Sequence, residues 1–162
     1  MNDVRIELAD LGDQHQAAAF LEVLDAYARD PMGGGAPLTD DVRERLVPSL
    51  LAHPTSRIWL AWEAERAIGV LVGFLGFSTF RARPLLNVHD LAVVPERRGQ
   101  RLGEQLLTAA ETHARSLGCC KLTLEVQEHN KRARALYKRV GFGHFSPGVE
   151  QNPTTFLEKP LA

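Results

Sequence analysis

The alternation of apolar and polar positions along this chain changes period repeatedly, and those changes divide it into predicted strands and helices. Val4 to Leu8 alternates as a half-buried strand does, and Ala17, Phe20, Leu21, Leu24 and Ala28 then recur at helical spacing. The segment from Asp30 to Pro37, with Gly33, Gly34 and Gly35 in a row, reads as a loop. Thr39 is placed to cap a helix carrying Val42 and Leu46, which Pro48 should kink or restart. Arg57 to Trp62 and Ala67 to Phe77 form two apolar runs joined by Glu63-Ala64-Glu65-Arg66, which predicts a hairpin. After a loop from Ser78 to Pro84, Leu85 to Val93 predicts another strand. Leu102, Leu106, Ala110, Ala114 and Leu117 line one face of a helix that Gly118 should end. Lys121 to Val126 alternates again, so strand, helix and strand should form a right-handed parallel crossover. A last helix begins near Asn130, carries Ala133, Leu136, Tyr137 and Val140, and stops at Gly141. Phe142 to Phe145 and Thr154 to Lys159 are candidate final strands.

The chemistry concentrates where the strand ending at Val93 meets the helix beginning near Leu102. Pro95 stops the strand, Arg97, Arg98 and Arg101 supply positive charge, and Gly99 and Gly103 let a ligand approach the backbone. Successive amides at a helix N-terminus form an anion site. The stretch lacks the Gly-Lys-Ser/Thr of a P-loop, and Gly99 to Gly103 lacks dinucleotide spacing, so another phosphate ligand is implied.

Composition narrows the class without identifying the ligand. The 162 residues suit a single domain spanning residues 1–162, and 44% hydrophobic with 24% charged residues is ordinary for a globular protein. A net charge of -1 excludes general attraction to nucleic acid or to anionic membranes, so the arginines should serve a local site. The longest apolar run, Ile68 to Phe77, is too short to span a bilayer, and no secretory signal is seen at the N-terminus, so the cytoplasm is the expected compartment. Cys119 and Cys120 are adjacent, without further cysteines at metal spacing. Neither a disulfide framework nor a metal site is expected.

The element order and two motifs resemble the GNAT superfamily, whose members move an acetyl group from acetyl-CoA to an amine. Its phosphate-turn signature, Arg/Gln-x-x-Gly-x-Gly/Ala after Val-x-Pro, is matched by Val93, Pro95, Arg98 and Gly103, with Arg101 where the middle glycine is usual. Its second signature, Asn-x-x-Ala-x-x-x-Tyr-x-x-x-Gly-Phe, is matched by Asn130, Ala133, Tyr137, Gly141 and Phe142. The resemblance covers most of the chain. It implies an α/β (α+β) fold: a mixed, mostly antiparallel sheet of about six to seven strands, about four flanking helices and one parallel crossover. The pantetheine arm would lie beside Leu91, Ala92 and Val93, and amides of Arg98, Gly99, Gln100, Arg101, Leu102 and Gly103 would hold the diphosphate. Asn130 would be both helix cap and neighbour of the coenzyme arm. Because Leu102 already begins the helical pattern, Arg101 is expected to be helical, where an arginine is sterically harmless.

Amine acetylation needs a neutral amine, a donor for the tetrahedral oxyanion and a proton for the departing thiolate. A backbone amide at Val93 suits the oxyanion. Tyr137 is the general-acid candidate, because a phenol of pKa about 10 stays protonated at neutral pH; a core tyrosine on that helix face is the structural alternative. Glu125 and His89 are the candidate bases. Leu124-Glu125-Val126 before the Asn130 motif looks like the ribosomal-protein alanine N-acetyltransferases, where the glutamate is the base; a solvent-facing carboxylate is the other reading. His89, with an ordinary pKa of about 6.5, suits proton relay and should share a face with Asn87, Leu91 and Val93. Asp90 should point to the other face in a structural role; of the arginines, Arg98 at the signature position is the best candidate for the coenzyme phosphate, whereas Arg97 should be solvated.

Tyr27 to Pro37, Phe77 to Pro84 and the segment after Phe142 would build the acceptor site. Phe77, Phe80, Arg81 and Arg83 suit an apolar acceptor bearing a carboxylate, or are incidental residues of an exposed loop. The expected function is acetyl-CoA-dependent N-acetylation of a primary amine, with a small molecule placed slightly ahead of a protein or peptide N-terminus. A non-catalytic acyl-CoA sensor is the alternative from another class. The acceptor's identity stays open, a homodimer is compatible with the resemblance, and no metal is expected.

Overall fold

Apolar runs bounded by turn residues pair into one sheet. In the computed structural model, which describes residues 3–143 and 155–161, β1 (Val4–Leu8), β2 (Ser56–Glu63), β3 (Arg66–Ser78), β4 (Arg83–Val93) and β5 (Leu122–Leu124) lie in that order. The first three pairings are antiparallel, and β4 with β5 is parallel. The predicted hairpin is present: Glu63 pairs with Arg66, and Ala64 in the turn has a φ of 51°. The parallel crossover is present too, with α3 (Leu102–Ser116) between β4 and β5. α1 (Gln14–Arg29) and α2 (Asp40–Leu51) occupy the connection from β1 to β2. Among the described residues, no helix is long and apolar enough to cross a membrane.

The chain divides into two units, one ending at Leu124 and the other beginning at Glu125. In the first, the sheet's two faces can be told apart by contact. A Cβ on Gly69 would meet Leu106 Cδ1 of α3 at 3.2 Å and the Ala61 Cβ at 3.4 Å, so α3 lies close over β3 on that face. Trp59 meets His113 of α3 edge-on at 5.6 Å, on the same face as its partner Leu71. Phe20 and Val23 of α1 are buried, and α1 packs on β3 and β4. Trp62, Leu60, Ile68, Leu71, Leu86 and Leu106 fill the core; truncating Leu106, which has no solvent exposure, costs about 2–5 kcal/mol.

Several expectations are corrected. The sheet has five strands among the described residues, against the expected six to seven. Thr155 to Lys159 form no strand, nor do Phe142 and Gly143; residues 144–154 lie outside the described residues. The predicted strand from Lys121 to Val126 pairs only over Leu122–Leu124, because its partner β4 offers regular backbone only through Val88. α2 runs through Pro48, whose ring sits on the exposed side, where a carbonyl deprived of its donor meets water. Leu117 ends α3 exposed instead of lining the core face. The predicted stop at Gly118 is a Schellman motif: Gly118 N–H donates to the Arg115 carbonyl and Cys119 N–H to the Ala114 carbonyl, both at 3.0 Å. Cys119 and Cys120 are free thiols, half-buried, and burial raises the Cys119 pKa.

One buried charge orders the segment after α1. Asp25 accepts hydrogen bonds from Arg29 Nε at 2.8 Å and from Leu38 N–H at 2.8 Å, and Arg43 Nη1 lies 3.3 Å away. The Arg29 hydrogen bond, helped by the Leu38 amide and by both positive charges, holds the Asp25 pKa below its ordinary value against the opposing effect of burial. Its contribution is therefore present above the unfolded carboxylate pKa of about 3.9 and is lost as pH falls through the lower folded value. Asp25→Asn is expected to cost about 2 kcal/mol at pH 7 in urea unfolding, with a smaller difference from the parent at pH 3. Equal differences at the two pH values would mean that the charge does not stabilise the loop.

Candidate active site

The end of β4 presents backbone that no strand covers. Val94 N–H donates to the Ile68 carbonyl at 3.0 Å, so by antiparallel alternation Ala92 also bonds toward β3, and Leu91 and Val93 turn their N–H and C=O groups to the opposite edge. On that edge β5 pairs only with Leu86, Asn87 and Val88. Among the described residues, no strand pairs with the edge at Leu91–Val93. A peptide-like arm could add there, and the outward N–H of Val93 is suited to an oxyanion.

A β-bulge changes which side chains share a face. Val88 pairs with Gly73 and Asp90 with Val72, so His89 is the extra residue. Consequently, His89 and Asp90 both lie on the α1 side: His89 meets Phe74 edge-on at 5.5 Å, and Asp90 lies close enough to Tyr27 of α1 to affect its ionisation. Leu91 and Val93 are on the α3 side, because Val93 pairs with Gly69. This corrects the expectation that His89 shares a face with Leu91 and Val93 and opposes Asp90. His89 is exposed, and Asn87 beside it donates from Nδ2 to Thr123 Oγ1 at 3.0 Å.

The turn after β4 is built as a row of donors. A 3-10 turn over Pro95–Arg97 leads to Gly99 at φ 82° and Arg101 at φ 60°, and the first helical acceptor is the Arg101 carbonyl, bonded by Gln105 N–H at 3.1 Å. The amides of Gly99, Gln100, Arg101, Leu102 and Gly103 have no acceptor among the described residues, and the α3 N-terminus adds its partial positive charge. Arg101 is left-handed and caps α3 from outside, which corrects its expected helical conformation. The usual glycine at this position is thus explained by the backbone, and an arginine there carries strain.

Two of the arginines are engaged within the protein. Arg97, expected to be solvated, binds Glu63 through Nη2 at 2.6 Å and Nε at 3.2 Å. Arg98 places Nη2 at 2.5 Å from Asp30 and Nε at 3.0 Å from the Val93 carbonyl, while its own N–H donates to the Pro95 carbonyl at 3.2 Å.

Asp90 and Asp30, the latter paired with Arg98, lie near Tyr27 in an acidic region that the motifs do not mark. Burial, then the charges of Asp90 and Asp30, raise the Tyr27 pKa. Burial likewise pushes the Asp90 carboxyl above the usual carboxylate range, against the lowering effect of His89. In the expected acceptor loops, Phe77 and Phe80 are exposed, whereas Arg83 is committed to the Gly118 carbonyl at 3.0 Å.

In the second unit, α4 (Lys131–Arg139) begins where Asn130 Oδ1 accepts from Ala133 N–H at 3.1 Å. It ends in another Schellman motif: Gly141 N–H donates to the Lys138 carbonyl at 3.2 Å and Phe142 N–H to the Tyr137 carbonyl at 2.9 Å, with the two rings 5.7 Å apart. Tyr137 is half-buried. The Tyr-x-x-x-Gly-Phe spacing therefore has a structural reason that does not involve the hydroxyl. Glu125 is exposed, just beyond β5. Among the described residues no group of three or more His, Cys, Asp or Glu could hold a metal ion.

Arg101→Gly removes the left-handed penalty and is expected to raise the unfolding free energy by about 1 kcal/mol, while Arg101→Ala, which keeps a Cβ at positive φ, should bring no such gain. Chemical denaturation of both variants checks this; equal stability of the two would refute the strain.

Residues 19–142 match the Acetyltransferase (GNAT) family. N-acetyltransferase YhfO of Bacillus subtilis (strain 168) is 33% identical over 99 residues, covering 61% of this chain and 66% of that protein. YycN, an N-acetyltransferase of the same organism, is 30% identical over 125 residues, covering 72% and 78%. Among solved structures, a probable acetyltransferase superposes with a TM-score of 0.79 at 22% identity, covering 96% of this chain and 98% of that one. An aminoglycoside acetyltransferase from an uncultured soil metagenomic sample gives 0.76 at 18% identity, covering 97% and 96%. With the match to the family extending from α1 through both motifs to Phe142, this chain belongs to the GNAT acetyltransferase family.

Proposed function

We propose that the protein transfers an acetyl group from acetyl-CoA to a primary amine by direct attack in a ternary complex, with a small cationic amine as acceptor. The observation that carries this reading is the continuity of two donor surfaces in one stretch of backbone. The open edge at Leu91–Val93 suits a pantetheine arm, and the unpaired amides from Gly99 to Gly103 suit its diphosphate. Family membership supports acetyl-CoA as the donor. The Asp90 carboxylate beside His89 favours a cation over the carboxylate-bearing acceptor that Arg81 and Arg83 would suggest, and Arg83 is already committed to the Gly118 carbonyl.

In this reading an alkylammonium, with a pKa of about 10.4, meets Asp90 and His89 on the α1 face and loses a proton to a base. His89 and Glu125 are the bases proposed from the sequence, and the bulge brings Asp90 beside His89. The neutral nitrogen forms a C–N bond with the thioester carbon, and Val93 N–H receives the oxyanion. As the oxyanion collapses and the C–S bond breaks, the nitrogen releases its remaining extra proton to solvent, and Tyr137 gives its phenolic proton to the thiolate and is reprotonated by solvent. Asn130 caps α4 and neighbours the coenzyme arm. Thialysine N-epsilon-acetyltransferase of Bos taurus, 35% identical over 74 residues, acts on such an amine by its name, which supports a small acceptor.

Coenzyme A release across a panel of diamines, amino acids and peptides with free N-termini, with acetyl-CoA binding measured in parallel, tests this function. Transfer to at least one small cationic amine is expected; transfer only to peptide N-termini, or binding without any transfer, overturns it. Tyr137→Phe keeps the ring against Phe142 and should retain acetyl-CoA affinity while lowering kcat by about tenfold to a hundredfold. Unchanged kcat would leave Tyr137 as a helix-end residue alone. Separate pH-rate profiles of His89→Ala, Glu125→Gln and Asp90→Asn identify the base, which is the variant whose profile loses the fall in rate on the acid side. An unaltered acid limb in all three assigns the proton to water.

A further inference from the structure

We propose that Arg98 is a positioning residue, joining the loop after α1 to the end of β4, and that its side chain is not a ligand of the coenzyme diphosphate. Its guanidinium is already shared between Asp30 Oδ2 at 2.5 Å and the Val93 carbonyl at 3.0 Å. The ion pair is well shielded, with 30% of the Arg98 side chain and 14% of the Asp30 side chain exposed, so each charge would be poorly compensated without the other. Swinging Arg98 toward a phosphate would break this ion pair and its hydrogen bond to the Val93 carbonyl. The turn has other means of holding an anion, in five unpaired amides and in Arg101.

Asp30 makes this contact consequential, because it organises the whole loop. Its Oδ1 accepts from Met32 N–H at 2.9 Å, and its carbonyl accepts from the N–H groups of Gly33, Gly34 and Gly35 at 2.8, 3.1 and 3.1 Å. Ala36 N–H returns to the Ala28 carbonyl at 3.2 Å. Gly33 lies so close to α1 that a Cβ there would stand 1.9 Å from the Tyr27 carbonyl oxygen. The loop is thereby seated on the helical turn that carries Tyr27 into the acidic region. At its other end the strut holds Val93, the residue whose N–H faces the open edge. Arg98 thus sets the acceptor wall relative to the oxyanion donor. The catalytic part of this inference rests on the acetyl-transfer reading; the structural part does not.

The variants Arg98→Gln, Arg98→Lys, Asp30→Asn and the double change Arg98→Gln with Asp30→Asn test it through three readouts. Without any ligand, hydrogen exchange at Gly33, Gly34 and Gly35 should speed up about tenfold in Arg98→Gln and in Asp30→Asn, less in Arg98→Lys, and no further in the double variant. Acetyl-CoA affinity by calorimetry should stay within about twofold of the parent, while acceptor kcat/KM falls about tenfold. Asp30→Asn keeps its side-chain oxygen for Met32 and serves if Arg98→Gln does not fold. Acetyl-CoA binding weakened about tenfold in Arg98→Gln with loop exchange unchanged would overturn the proposal and make Arg98 a phosphate ligand. If the parent protein acetylates no amine, exchange and calorimetry still decide the strut, and the acetyl-transfer reading alone fails.

Discussion

Everything proposed for this protein depends on how β4 spends its backbone hydrogen bonds. A central strand normally pairs along both edges, and β4 does so only from Leu86 to Val88. One extra residue at His89 then disrupts regular pairing, and beyond it the strand keeps β3 on one side, while no strand among the described residues covers the other edge. An uncovered strand edge invites unwanted pairing, so its persistence is understandable where something extended occupies it in use. The bulge also places His89 and Asp90 side by side on the α1 face while Leu91 and Val93 face α3. Two titratable side chains and the outward backbone donors thus come from the same few residues on different sides of the strand.

The two family motifs differ in physical content. In the turn before α3, the signature spacing reflects conformation: Gly99 and Arg101 both take positive φ, and the amides from Gly99 to Gly103 have no acceptor among the described residues. In the second motif, Asn130 caps the start of α4 and Tyr137, Gly141 and Phe142 close its end. A match to that motif therefore predicts a well-capped short helix before it predicts a proton donor. The capping matters because α4 is nine residues long, a length at which an isolated helix is marginal.

Much of the architecture was legible from local pattern. The β2–β3 hairpin, the β4–α3–β5 crossover, the stop at Gly118 and the Asn130 cap follow from alternation, helical spacing and turn residues, which act over a few positions. The errors share one cause. Arg101 was read as helical because Leu102 starts the apolar stripe, but the preceding turn decides the φ of the residue outside the helix. Alternation placed His89 opposite Asp90, since a bulge leaves the residue types unchanged and shows only in the partner strand's register. Residue type alone does not pair Arg97 or Arg98, because their partners Glu63 and Asp30 lie far away in sequence.

By itself, the sequence determined the element order, the family and the location of the glycine- and arginine-rich turn before α3, because those depend on residue types at short, fixed spacing. Only the tertiary structure decided which edge of β4 is open, which side chains the bulge brings to one face, and which arginines are already neutralised. These outcomes depend on hydrogen-bond register and on charge pairs between residues that become neighbours only when the sheet and α1 pack together.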